Sequence, residues 1–176
     1  RPIIGYMGTI NSTRLDGELL YQIISQRPDY SFVFTGPEDD IFRRDRIHSL
    51  KNAYFTGQKK VDELPAYIAA YDVCINPQMV NKITNGNYPL KIDEYLAMGK
   101  PTVATSTHTM RNIFTGHTHL AINPEEWLAA IDRAVTEADD KELAKQRIAF
   151  AETHSWGHSV KKIYEIIDSF LKKKTT

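Results

Sequence analysis

The sequence predicts an α/β fold: a Rossmann-like, doubly wound parallel sheet of about six strands flanked by helices. Three observations predict it. Short apolar runs alternate with longer amphipathic segments along the whole chain. The short runs are apolar at successive positions, as strands covered on both faces must be. Glycine or proline follows several of them, where a strand hands over to a loop.

The elements follow in order. Ile3 to Met7 reads as a buried strand. Asp16 to Gln26 reads as a helix, with Leu19, Leu20, Ile23 and Ile24 on one stripe and Pro28-Asp29 as its stop. Ser31 to Thr35 is a second strand, halted by Gly36-Pro37. Ile41 to Leu50 is a polar helix or an irregular connector. Ala53-Tyr54-Phe55 is a third strand, ended by Gly57, and Glu63 to Tyr71 is amphipathic. Asp72 to Ile75 is a fourth strand, followed by a long loop to Asn87. A helix opened by Pro89 precedes the strand Thr102 to Thr105, and His119 to Ile122 is a short sixth strand. Asn123 and Pro124 supply the cap and first turn of a further helix, with Leu128, Ile131, Ala134 and Val135 on its stripe. Two helices, roughly 140–153 and 157–172, close the chain.

Composition excludes several classes. The chain has 176 residues, 41% hydrophobic and 25% charged, as an ordinary globular domain has. Lys+Arg and Asp+Glu are both 22, so no excess of positive charge points to nucleic acid. The one cysteine, Cys74, rules out an internal disulfide and reads as a buried strand residue. No signal peptide or membrane-spanning run is present, so a cytoplasmic location is the expectation. Lys172-Lys173-Lys174 reads as a solubilising tail, with a peripheral contact to anionic lipid as the alternative. There is no initiating Met and Arg1-Pro2 runs straight into Ile3-Ile4, so the chain reads as one domain, 1–176, cut from a longer protein.

In a parallel sheet with right-handed crossovers every strand ends on the same edge, and ligands bind there. The loops Gly8–Arg14, Gly36–Asp40, Gly57–Asp62, Asn76–Tyr88 and Ser106–Arg111 fall on that edge. Gly5-x-x-Gly8 is neither the dinucleotide fingerprint nor a P-loop. Close packing of strand and loop is its stronger reading, and approach of a diphosphate to Gly8 its functional one.

Residues 88–101 carry more. Pro89 suits the first helical position, leaving the N–H groups of Leu90, Lys91 and Ile92 facing outward as a positive helix end. Lys91 adds a full charge, and Glu94 lies about one turn on, where a carboxylate can accept from ribose hydroxyls. The alternative is an ordinary Lys–Glu surface pair.

At this point a resemblance is specific. Gly5-Tyr6-Met7-Gly8 with Asp16-Gly17-Glu18-Leu19-Leu20, Phe32 to Pro37, Glu63 to Tyr67, Asp72 to Pro77 and Pro89-Leu90-Lys91-x-x-Glu94-Tyr95-Leu96-Ala97-x-Gly99-Lys100-Pro101 resemble a family in order and spacing. Trp156 before the last helix adds to the likeness. The family is the C-terminal, donor-binding half of group 1, family 4-like retaining glycosyltransferases of the GT-B fold.

The resemblance implies a nucleoside diphosphate sugar as donor, a glycan or lipid-linked acceptor, and a role in cell-surface polysaccharide or glycan synthesis. It implies that the N-terminal half, which supplies most of the acceptor site, is missing, so that this chain alone is inactive. It assigns catalysis to Lys91 and Glu94, with Glu94 on the ribose. It sets Gly8, Thr9, Arg14, Tyr88, Pro89, Leu90 and Lys91 around the donor, and Pro37 and Gln58 at the base. No cofactor and no metal is expected, since no Asp-x-Asp-type cluster lies on the ligand edge.

Three positions depart from the family pattern. Gly86 stands where relatives carry a second carboxylate facing the donor sugar. Thr9 and Asp16 stand where they carry Arg and Lys for the diphosphate, leaving Lys91 and Arg14 as substitutes. A sugar-nucleotide epimerase of the same architecture and a degenerate module that binds a protein partner are the alternatives.

Other residues carry less. His117 and His119 read as a solvated loop rather than a metal site, since no third ligand stands at a recognisable spacing. His108 lies on the ligand edge, and exposure is its ordinary fate. Tyr88 and Tyr95 could stack on a base or ribose, with core packing as the alternative.

Overall fold

The computed structural model describes residues 1–174. The side chains of Lys173 and Lys174, and all of Thr175 and Thr176, lie outside the described residues, and the expected contact of the lysine cluster with lipid falls largely there.

Six short apolar runs become six strands: β1 (Ile3–Met7), β2 (Ser31–Thr35), β3 (Ala53–Gly57), β4 (Val73–Asn76), β5 (Thr102–Thr105) and β6 (His119–Ala121). They form one parallel sheet in the order β3-β2-β1-β4-β5-β6. The order reverses between β1 and β4, so the crossovers after these two strands leave on opposite sides and their C-terminal ends open a crevice. β4 begins one residue later than the spacing predicts, and Asp72 just before it holds Ile3 twice: its N–H donates to the Ile3 carbonyl at 2.9 Å and its carboxylate accepts the Ile3 N–H at 2.7 Å. Asn76 joins the strand and is buried.

Helices cover both faces. α1 (Gly17–Ser25) and α5 (Pro124–Thr136) press Leu20, Ile23, Trp127 and Ile131 against Ile4, Phe32, Val73 and Val103. On the other face α2 (Leu64–Ala70), α3 (Leu90–Ala97), α4 (His108–Ile113) and α6 (Lys141–Glu152) pack around Cys74, Ala104, Ile92 and Phe114. Alternate side chains of each strand serve the two faces, and that is why successive strand positions are apolar.

Local signals set the ends. The Asp16 carboxylate accepts from the Leu19 N–H at 3.0 Å, and the Asn123 side chain from Glu126 at 2.9 Å, as N-caps do. Residues 41–50 form two short 3₁₀ turns, Phe42–Arg44 and Arg46–Ser49, that bury Phe42 and Ile47. Another such turn, Val61–Glu63, precedes α2.

The first two strand exits are joined through main chain. Gly8 N–H donates to the Thr35 carbonyl at 2.9 Å, Ile10 N–H to Pro37 at 2.8 Å, and Asp39 N–H to Ile10 at 3.0 Å. Gly36 lies at φ +146°, and a Cβ there would stand 2.0 Å from the Gly8 carbonyl oxygen. Only glycine permits that approach.

α7 (Trp156–Lys174) ends the described chain. Trp156, Ile163, Tyr164 and Ile166 on it are each more than half exposed. Among the described residues no helix is long and apolar enough to cross a membrane.

Candidate functional site

The last residues of β1 build the floor. Tyr6 is buried, and its hydroxyl donates to the Thr9 carbonyl at 3.0 Å. The same oxygen accepts from Lys91 Nζ at 2.7 Å, and the ammonium stands 4.2 Å from the Tyr6 ring centroid. Burial pushes the Tyr6 phenol well above its ordinary range, so it stays a neutral donor to Thr9.

Lys91 pays for its position in hydration. Burial lowers its ammonium to about 8, Glu94 opposes the shift, and the Arg14 guanidinium adds to it. Gly8, at φ +135°, leaves room for it: a Cβ there would come within 2.6 Å of Nζ.

α3 is tied to the same strand from beneath. The Tyr95 hydroxyl accepts the Met7 N–H at 2.8 Å and donates to the Met7 carbonyl at 3.2 Å. Tyr95 is fully buried and has the core role open to it in the sequence.

The helix start differs from expectation. Pro89 is the N-cap, with ψ 88°, and the helix begins at Leu90. The Pro89 carbonyl accepts the Ile92 N–H at 2.9 Å, so Ile92 turns its donor inward. Two outward N–H groups remain, those of Leu90 and Lys91, where three were expected. Proline's ring fixes φ but leaves ψ free, and here ψ follows the incoming loop.

These parts enclose a cleft of about 670 Å³ beside the reversal of strand order. Its lining includes Gly8, Thr9, Arg14, Tyr88, Pro89, Leu90, Lys91 and Glu94. Pro37 and Gln58 are exposed at the ends of β2 and β3, outside that lining. Tyr6, Asn11, Gln78 and Asn87 also line it and were not singled out in the sequence. Tyr6 carried the one readable signal, a hydroxyl one residue before the end of an otherwise apolar strand.

No ion pair joins Lys91 to Glu94 within 4 Å among the described residues, and Lys91 donates to Tyr6 instead, so the plain surface pair does not form. Glu94 is exposed, with its carboxylate open to solvent. Asp16 is occupied in capping α1. Gly86 is exposed, and a Cβ there would meet nothing within 4 Å, so packing does not forbid a larger side chain.

The histidines are placed apart from the cleft. The His117 ring stacks on Phe150 at 3.7 Å, and burial lowers its pKa. His119 Nε2 lies 3.0 Å from Glu137 Oε1. His108 is exposed and bonded to Asn112 at 2.8 Å. Among the described residues there is no group of three or more His, Cys, Asp or Glu placed to hold a metal ion. Cys74 is buried, and burial holds its thiol far above the ordinary range.

The profile of the family described as "Glycosyl transferases group 1" matches residues 1–137. The chain belongs to the group 1 glycosyltransferases. The matched stretch of this glycosyltransferase chain contains every residue that lines the cleft and leaves α6 and α7 outside.

A Bacillus subtilis (strain 168) protein, TuaH, is 28% identical over 160 residues, which are 88% of this chain and 40% of TuaH. Its name assigns it provisionally to teichuronic acid biosynthesis as a glycosyltransferase. Sucrose-phosphate synthase from Thermosynechococcus elongatus superposes with a TM-score of 0.75 at 20% identity, over 98% of this chain and 46% of that one. HepE from Anabaena, solved in complex with UDP, superposes at 0.75 with 15% identity, over 95% of this chain and 48% of that one. The chain therefore spans under half the length of these relatives, and the shared fold is the Rossmann-like half of a GT-B architecture.

Proposed function

We propose that this chain binds a nucleoside diphosphate sugar and serves as the donor half of a retaining glycosyltransferase that transfers the sugar to an acceptor hydroxyl. One observation carries the reading: two cations, Lys91 and Arg14, the N-terminus of α3 and an open carboxylate meet in one cleft at the reversal of strand order. The cations and the two outward N–H groups suit a diphosphate. Glu94, about one helical turn further on, suits a pair of vicinal hydroxyls.

The chemistry follows from charge. When the bond between the anomeric carbon and the diphosphate oxygen breaks, the leaving oxygen gains negative charge. Lys91 lines the same cleft as the start of α3 and stabilises that charge. Tyr6 holds the ammonium in place, so little reorganisation is needed as the charge develops.

The relatives support the substrate class. HepE has been solved with UDP and with UDP-glucose, and the provisional assignment of TuaH is to teichuronic acid biosynthesis. A polysaccharide acceptor is the corresponding proposal here. The remainder of the catalytic apparatus, including the acceptor site, is proposed to lie in a second domain.

The test is calorimetric titration with UDP, GDP and ADP, repeated on Glu94→Ala. Binding of one nucleotide, weakened in the variant, is expected. A protein that binds none of the three overturns the reading in favour of a degenerate module.

A further inference from the structure

One hydrogen-bonded chain reaches the cleft from outside it. Tyr88 lines the cleft just before α3, and its hydroxyl donates to Asp93 Oδ2 at 2.6 Å. Asp93 Oδ1 lies 3.0 Å from Nδ1 of His154, in the joint between α6 and α7. The carboxylate is an acceptor only, so His154 must present Nδ1–H to it. The three residues thus tie a cleft loop, the first turns of α3 and a distant helix joint.

Ring contacts limit what each can do. His154 stands edge-on to Phe150 at 4.6 Å, to Phe114 at 5.9 Å and to Tyr88 at 6.4 Å. The Tyr88 ring is tilted against Phe114 at 5.5 Å. The bond to Asp93 and the contact with Phe114 thus hold the Tyr88 ring at two points while it lines the cleft. Burial, then the Asp93 bond, raise the Tyr88 phenol above its ordinary range, which keeps the hydroxyl a donor.

We infer that Asp93 and His154 are positioning residues that hold the Tyr88 ring as an aromatic wall of the donor cleft, and that Tyr88 meets the bound nucleotide sugar through its carbon surface rather than its hydroxyl. This rests on the donor reading above. Asp93 is on the same helix as Lys91 and Glu94, so the bond to Tyr88 also fixes the loop relative to the two groups proposed to hold the diphosphate and ribose.

The test pairs affinity with a readout that needs no ligand. UDP-glucose is titrated into the purified protein and into Tyr88→Ala, Asp93→Ala, Asp93→Asn and the Tyr88→Ala/Asp93→Ala double variant. Loss of the ring is expected to weaken binding about threefold to tenfold. Asp93→Ala is expected to weaken it about threefold alone, and not at all on the Tyr88→Ala background. Asp93→Asn keeps an acceptor for the phenol and is expected to recover most of the loss. An equal loss from Asp93→Ala on both backgrounds overturns the inference.

In the free protein, amide spectra of Asp93→Ala and His154→Ala are expected to show shifted Tyr88, Leu90 and Lys91 signals. Unmoved signals overturn the positioning role. Should the unsubstituted protein bind neither UDP-glucose nor UDP, the donor reading and the ring contact both fall, and the spectra alone decide the positioning role.

Discussion

Raising the pH should loosen the proposed diphosphate grip at one identifiable group. Burial lowers the Lys91 ammonium from an ordinary 10.5 to about 8. A diphosphate placed against it favours the charged form, so binding takes up a proton wherever the free protein has already lost it. Affinity for UDP should then be flat below pH 8 and fall by about tenfold per pH unit above it. The sign for stability is opposite. The unfolded chain holds the proton between about 8 and 10.5 and the folded one does not, so stability should rise with pH across that window. The difference corresponds to at most about 3 kcal/mol, and less to the extent that water still reaches Nζ. Lys91→Met should therefore gain stability at neutral pH while losing about tenfold to a hundredfold in UDP affinity. The assay is calorimetry of UDP from about pH 7 to about pH 9, in two buffers of different ionisation enthalpy, on both proteins. The variant subtracts titration of the ligand. A flat profile in the unsubstituted protein, or the same slope in Lys91→Met, would refute the assignment of the grip to Lys91.

Three further outcomes are expected. Gly5→Ala sets a methyl 2.1 Å from the Tyr71 ring, so urea denaturation should show a loss of about 3 kcal/mol or more, partly recovered by adding Tyr71→Leu. Asp16→Ala removes the bond to the Leu19 N–H and should cost about 1 kcal/mol in the same experiment. Gly86→Glu adds a side chain where nothing stands within 4 Å; the melting temperature should stay within about 2 °C, with a changed preference among UDP-sugars if a carboxylate there faces the donor.

The strands and the amphipathic helices were legible because each is written in contiguous residues with a simple period. Ile3 to Met7 and Ser31 to Thr35 are strands as spaced, and Leu19, Leu20, Ile23 and Ile24 are the buried stripe of α1. Phe42 and Ile47 were not legible, since two buried residues five apart on 3₁₀ turns follow no helical repeat. Pro89 misled because its φ is compatible with both the cap and the first turn, and only ψ separates them. The bond between Lys91 and Tyr6 spans 85 positions, and that between Asp93 and His154 spans 61, so neither leaves a local trace. For the same reason Lys91 could be proposed as a phosphate ligand from its helix position, while the burial that lowers its pKa could not be read.

The stitched exits of β1 and β2 bear on attempts to re-engineer the cleft. Segment 8–14 contributes Gly8, Thr9 and Arg14, and is the natural piece to exchange between relatives. It cannot be transplanted by itself. Its main chain is registered on residues 35–39 through three hydrogen bonds, the Ser12 hydroxyl and N–H both rest on Asp39, and Gly36 sits against the Gly8 carbonyl. A graft that keeps the recipient's second loop would pair backbones of different shape at van der Waals distance. The segment is also tied to the loop after β4, where the Met79 N–H donates to the Arg14 carbonyl at 2.8 Å and the Asn81 side chain to the Thr13 carbonyl at 3.2 Å. The unit of exchange in a chimera is thus the set of three loops, and a library that varies them jointly explores more folded proteins than one that varies any alone.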